Sequence, residues 1–256
     1  MGKFLKTALM MLMVGQAPVQ AATPLSLNQS LTELPGLERA SKAQKGLPEL
    51  MAINSQEYAS VIQPTTDFEN LYQHAQMAQN ELAMLTHRVA YLSSTQASVP
   101  DVKSRERALA KLEGKLDGDV RLLTDLARTT LVASNVEGVV RAYHHLNQHG
   151  QVVKVKNRFQ TPKANGYRDM NVLVRLPQSK LVAEVQIHLA DIAAIKSGAE
   201  HDIYTQIQEI ERHAAQQQRD LAEIELARIS RLKQQSSELY QRAWEAHDTP
   251  ARVNYG

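Results

Sequence analysis

The chain contains no cysteine among its 256 residues. That absence excludes thiol nucleophiles, disulfides and thiolate-held metal modules, and it leaves the redox compartment unmarked. Aromatic residues are scarce at 5%, with one Trp and three Phe, while Ala, Leu and Gln are abundant, a balance that favours helices. Neither sign of charge dominates, since 29 Lys and Arg stand against 27 Asp and Glu. The chain therefore lacks the global basic field of a general nucleic-acid binder; DNA is not an expected partner, and any anion site must be local. No apolar run approaches the roughly 20 residues that a bilayer span needs, so no stable membrane span is expected. What remains is 43% apolar content, enough to bury a genuine core and to exclude wholesale disorder.

Residues 1–21 read as a secretory leader. Lys3 and Lys6 precede an uncharged apolar run at 7–14, and Val19 and Ala21 place small residues before a cleavage point at Ala22. Residues 22–66 combine Pro24, Pro35, Gly36, Gly46 and Pro48 with polar residues and lack a sustained apolar period, which predicts a flexible linker.

From Asp67 onwards, Phe68, Leu71, Tyr72, Ala75, Leu82, Leu85, Val89 and Leu92 recur at the three-and-four spacing of an amphipathic helix capped by Asp67. A shorter basic helix is expected over 102–117, ending near Gly118. The β-branched run at 126–133 predicts a strand, followed by a helix over 136–148 with Asn135 as its cap. Further strands are expected at 152–155, 170–176 and 181–187, with a loop at 162–166. From about 190 to 246 the pattern is helical, with Ile203, Ile207, Ile210, Ala214, Leu221, Ile224 and Leu232 in a heptad-like seam. A polar gap at 216–218 predicts two helices or a kink. The expected fold is α/β (α+β): a mixed β-sheet of about four to five strands flanked by helices, with a long helical C-terminal region.

Thirteen Lys or Arg lie between Lys103 and Arg168 against six acids. Such an excess is most often a solvated face, yet beside a Pro-Lys-Ala-Asn-Gly loop it also suits phosphates, to which Lys presents a point charge and Arg a fork of donors. A polyphosphate brings a divalent cation, which asks for carboxylates inside the basic region. Asp125, opening one predicted strand, and Glu184, within another, are the candidates.

Residues 155–167 (Val-Lys-Asn-Arg-Phe-Gln-Thr-Pro-Lys-Ala-Asn-Gly-Tyr) and 183–187 (Ala-Glu-Val-Gln-Ile) resemble the synthetase domain of the RelA/SpoT-type alarmone enzymes and the small alarmone synthetases. Asp125-Leu126-Ala127 is similar to the family strand bearing a magnesium-binding Asp, and Val102-Lys103-Ser104 to the ATP-binding segment before it. Ala199-Glu200-His201 with Tyr204 resembles the Glu-His segment on the next helix. The resemblance spans roughly residues 67–215, leaving 216–256 as a C-terminal helical extension, and it implies a nucleotidyltransferase-like synthetase fold.

The activity so implied is transfer of the β,γ-pyrophosphate of ATP to the 3′-hydroxyl of GDP or GTP, with release of AMP and with Mg2+ as cofactor. By the same resemblance Asp125 and Glu184 would be metal-binding and catalytic. Lys103, Arg107 and Arg128 would meet ATP, and Lys156, Lys163 and Asn165 the acceptor. Tyr167 would stack on the guanine, and Gln186 would position the reactants. Small synthetases assemble through terminal helices, which implies a homo-oligomer. ATP and guanine nucleotides imply a cytoplasmic active pool, against the periplasmic or secreted location that the leader implies. No His-Asp pair precedes residue 100, so the hydrolase motif of the long family members is missing there.

The chain departs from the family pattern where Asp101, Asn171 and His188 replace an Arg, a His and an Arg. These departures keep two other readings open: a related pyrophosphotransferase effector or toxin acting on adenine nucleotides or tRNA, and a catalytically silent helical assembly protein.

Overall fold

The computed structural model describes residues 46–248, so the leader and residues 22–45 of the linker lie outside the described residues. In chain order the elements are α1 (Leu47–Ala52), β1 (Gln56–Glu57), α2 (Phe68–Ser93), β2 (Gln96–Ser98), α3 (Arg105–Lys115) and β3 (Arg128–Ala133). They continue with α4 (Val136–His149), β4 (Gln151–Asn157), β5 (Met170–Arg175), β6 (Val182–Leu189), α5 (Ala190–Ser197), α6 (Ala199–Gln216) and α7 (Glu223–Asp248).

Two of the clearest sequence cues are local capping signals. Asp67 Oδ1 accepts the amides of Glu69 and Asn70 at 2.8 and 3.2 Å, and Asn135 Oδ1 accepts that of Gly138 at 2.8 Å. Each satisfies amides that the first helical turn leaves without partners. Asp67→Ala is accordingly expected to lower stability by about 1 kcal/mol, read from the denaturation midpoint. Beyond the caps, Leu71, Ala75, Ala78, Leu82 and Val89 of α2 and Val136, Val139, Val140, Tyr143 and Leu146 of α4 form buried stripes. Both stripes belong to one core with Leu131, Val172, Val174, Val185 and Ile187 of the sheet.

The sheet has six strands in the order β1-β4-β5-β6-β3-β2; β3 and β6 run parallel and the other neighbours antiparallel. Because side chains alternate across a strand, burying one face sets the other. Arg128 lies opposite Glu184, Thr130 and Asn171 flank Gln186 from its two sides, and Lys156 lies opposite Asn171. One row across the sheet thus gathers residues from four strands.

Two buried glutamines fix this arrangement where strand pairing does not reach. Gln79 of α2 bonds the backbone of Arg128 through both its amide N and O, and also donates to Pro100 O. Gln63 does the same for Val182 while donating to Leu123 O.

Three expectations are corrected. The sheet has two more short edge strands, β1 and β2, whose two and three residues carry no legible period. The predicted linker is not a linker over residues 46–66. Leu50 of α1 is fully buried, and Asn157 Nδ2 donates to Leu50 O and Ile53 O at 2.7 and 2.8 Å. The C-terminal region forms three helices, with a break after α6 at the predicted polar gap.

That region also folds back on the chain. Ile203, Ala214, Ile229 and Leu232 are buried, whereas Ile224 and Leu226 remain 80% and 52% exposed. Of the seven residues of the apolar seam that motivated assembly of copies, Ile203, Ala214 and Leu232 are buried within the chain, Ile207, Ile210 and Leu221 are half-buried, and Ile224 is exposed. Tyr240 and Trp244 of α7 join the main core, so 216–248 is no appendage.

Candidate active site

Asp125 sits between the two halves of the resembling motifs. Lys103 N donates to Leu126 O and Glu184 N to Ala127 O, both at 3.0 Å, so the backbone just after Asp125 is tied to both sides. Asp125 Oδ2 accepts Lys103 Nζ at 2.6 Å and Lys111 Nζ at 2.8 Å. Burial pushes the Asp125 carboxyl up, but the ammonium groups of Lys111 and Lys103 outweigh it and hold it below the usual carboxylate range. Burial in turn pulls Lys103 down, against the pull of Asp125. Lys103, expected to meet ATP, thus has its charge committed to Asp125. Arg107 and Arg128 have no carboxylate at ion-pair distance among the described residues, and Arg107 is lowered by burial and by the charge of Arg128. Arg105 pairs with Glu69 and stands outside the site, its guanidinium 5.3 Å from the Phe68 ring.

Glu184 projects from the same sheet face as Arg128. Its Oε2 accepts Asn171 Nδ2 and its Oε1 accepts Gln186 Nε2, each at 2.9 Å, and Lys196 Nζ donates to Gln186 Oε1 at 2.9 Å. This chain of donors holds the carboxylate plane in one orientation while leaving lone pairs on both oxygens. Asn171, one of the departures from the family pattern, is therefore in direct contact with Glu184. Asp101, another, is exposed. Lys156 stands at the exposed edge of the row.

The loop between β4 and β5 carries the remaining candidates. Gly166 adopts φ 77°, the left-handed region open to glycine, and its amide donates to Lys163 O at 2.8 Å. A Cβ there would lie 3.3 Å from Ser237 O and 3.4 Å from Tyr240 Cβ, so α7 passes directly over the turn. Asn165 builds the loop: its Oδ1 accepts the Tyr167 amide at 3.3 Å and its Nδ2 reaches Glu200 at 3.5 Å.

Tyr167 departs most from expectation. Base stacking needs an open ring face, whereas Tyr167 is only 6% exposed. Lys163 Nζ and Lys196 Nζ lie 4.9 and 5.5 Å from the ring centroid, and Tyr240 and His188 meet the ring edge-on at 5.6 and 5.8 Å. In this conformation α7 and two lysines cover the ring.

Its hydroxyl belongs to a buried network. Tyr167 Oη donates to Asp169 Oδ2 at 2.8 Å and lies 2.6 Å from His188 Nε2; Asp169 Oδ1 accepts Arg158 at 2.6 Å. Burial holds His188 well below its usual pKa, with Lys196 and Arg158 adding to the shift; because the Tyr167 hydroxyl proton goes to Asp169, the contact between His188 Nε2 and Tyr167 Oη requires the Nε2–H tautomer. Burial and Asp169 push the Tyr167 hydroxyl far up, keeping it a donor. Arg168 is folded onto Trp244, its guanidinium 5.1 Å from that ring.

Lys111, Asp169 and Lys196 were not singled out from sequence. Lys111 lies one helical turn beyond Arg107, the same step that joins Lys103 to Arg107. Asp169 and Lys196 carry no local signal, because only the folded chain brings them to Arg158, Tyr167 and Gln186.

No protein-family model matches the chain. Over 109 residues it is 28% identical to the GTP pyrophosphokinase YwaC of Bacillus subtilis (strain 168), a match covering 39% of this chain and 51% of that protein. The chain thus spans about half the length of the curated relative it matches. The small alarmone synthetase 2 of Bacillus subtilis superposes with a TM-score of 0.54 at 23% identity, over 71% of this chain and 95% of that one. The small alarmone synthetase 1 of the same organism, bound to its product pppGpp, gives 0.46 at 16%, over 71% and 96%. The chain has the fold of the small alarmone synthetases, the group whose motifs its own residues resemble.

Proposed function

We propose that this chain is a (p)ppGpp synthetase, a GTP/GDP diphosphokinase that moves the β,γ-pyrophosphate of ATP onto the 3′-hydroxyl of GDP or GTP and releases AMP. The observation that carries this reading is a set of cations without counter-charges around one oriented carboxylate. Asp125 is neutralised by Lys103 and Lys111 and Asp169 by Arg158, while Arg107, Arg128, Lys156 and Lys163 have no ion pair among the described residues. Cations held together without partners suit a ligand that brings several negative charges.

The 3′-oxygen would attack the β-phosphorus of ATP in line, its proton passing to Glu184 as the bond from that phosphorus to the AMP oxygen breaks. Glu184 thus acts as general base, with Asn171 and Gln186 holding its carboxylate in position. In this reading Arg107 and Arg128 meet the ATP phosphates, and Lys156 and Lys163 those of the acceptor. Closure of Tyr167 means that the acceptor base reaches this ring only after Lys163, Lys196 or α7 gives way.

The residues present also fit magnesium. Asp125 Oδ1 is buried without a hydrogen-bond partner, and Glu184 keeps free lone pairs. Mg2+ is commonly held by one or two carboxylates together with substrate phosphates and water. When bound it neutralises charge on the phosphates and the leaving oxygen.

Purified full-length chain given labelled ATP and magnesium with GDP, GTP, ATP or tRNA tests the proposal. Label is expected on GDP or GTP, with AMP formed in equal amount. Label on ATP or tRNA instead, or on no acceptor, would overturn it.

A further inference from the structure

Lys196 is a half-buried residue of α5 that none of the resembling motifs includes. Its ammonium has one hydrogen-bond acceptor, the neutral Gln186 Oε1, and a π-face, that of Tyr167. No carboxylate lies at ion-pair distance from it among the described residues. Withdrawing an ammonium from water without a counter-charge is unfavourable. Burial accordingly lowers its pKa, with Asp169 and Glu184 opposing the shift and Lys163 and Arg128 adding to it. The contacts place it as well: its partner Gln186 also bonds Glu184 and lies in register with β3, which carries Arg128, and Lys163 Nζ shares the Tyr167 ring with it. Arg128 belongs to the ATP side, Lys163 to the acceptor side, and Glu184 stands where the proton is taken.

Among the described residues some nearby cations are paired, whereas Lys163, on the same Tyr167 ring, is not. Lys103 and Lys111 share Asp125, Lys154 pairs with Glu57, and Arg158 with Asp169. Lys196 is anchored at its Nζ by a side chain that also orients Glu184, so it is fixed in place yet uncompensated.

We propose that Lys196 is a substrate-binding residue, holding a phosphate group of the transferred chain between the ATP side and the acceptor side of the site. Release from Gln186 Oε1 or a second bond beside it lets the ammonium meet a phosphate oxygen, since it carries three donors. The identity of the transferred group rests on the synthetase reading above; the phosphate contact itself does not.

Two measurements on the full chain separate the two. Inorganic pyrophosphate with magnesium, titrated calorimetrically, is expected to bind the wild type and to bind Lys196→Met roughly ten- to hundred-fold more weakly, the range for losing a charge-assisted bond. Lys196→Arg, which keeps the charge, should recover most of that loss. In the labelled-ATP assay, Lys196→Met should lose turnover to a similar degree. Without ligand it should melt no lower than the wild type, because an unpaired charge has been removed; a purely structural lysine would instead lower the melting point.

If no acceptor is labelled by the wild type yet pyrophosphate binding still depends on Lys196, the synthetase reading fails and the contact stands. If Lys196→Met binds pyrophosphate and turns over within about three-fold of the wild type, a change too small for a lost charge-assisted bond, the contact is overturned.

Discussion

Replacing Glu184 by Gln is expected to reduce pyrophosphate transfer by at least about 10²-fold while leaving the fold intact, as loss of a general base alone removes about 10² to 10⁴ in rate. The substitution preserves volume and position on β6, where Glu184 lies in register between Arg128 and Leu173 of the neighbouring strands. It removes the charge and sets an amide against Asn171 or Gln186, both of which donate to the present carboxylate. Initial rates with saturating ATP and GDP read the loss, and far-ultraviolet circular dichroism reads the fold. Activity above about a tenth of the wild type would exclude Glu184 as the base.

Truncating Trp244 to Ala should destabilise the whole domain by about 3–5 kcal/mol, the usual range for a large aromatic removed from a packed core. Trp244 is 3% exposed, tilted against Phe159 with ring centroids 5.6 Å apart, and lies beneath the Arg168 guanidinium. Its removal opens a cavity beneath the acceptor loop and exposes Arg168, whose Nε is already buried without a partner. Ile224→Ala, at an exposed position on the same helix, is the contrast and should change stability by less than about 0.5 kcal/mol. Urea denaturation followed by circular dichroism compares them. Similar midpoints for both variants would mean that α7 is not part of the folding unit.

Legibility in the sequence follows the range of the interaction. Caps at Asp67 and Asn135 act over two or three residues, and both helices begin where those residues predict. The alternation in β3 and β6 sets which side chains face together, so the strand period alone puts Arg128 in step with Thr130 and Glu184 in step with Gln186. The helix α1 has no such signal because its anchoring is a tertiary event: Leu50 is the one buried residue in six, held from Asn157 more than a hundred positions away. For Lys103 the sequence indicates the place but not the ion pair with Asp125, which it shares with Lys111. Closure of Tyr167 has no local sign at all. Tyr240 follows it by more than seventy residues, and an Asn-Gly-Tyr triplet looks the same with its ring open or covered.

The way α7 lies across the β4–β5 loop gives the chain an optical handle. Trp244 is its only indole and packs among the side chains that frame this loop, Phe159 on one side and Arg168 on the other. Intrinsic tryptophan emission therefore arises from a single point, one helical turn beyond Tyr240, where Gly166 meets the helix. A movement of α7 that uncovers Tyr167 must disturb that point, and fluorescence quenching would record it in solution without a label. With no native thiol in the sequence, one introduced cysteine on the far side of the loop would take a dye at a single position and turn the same movement into a distance.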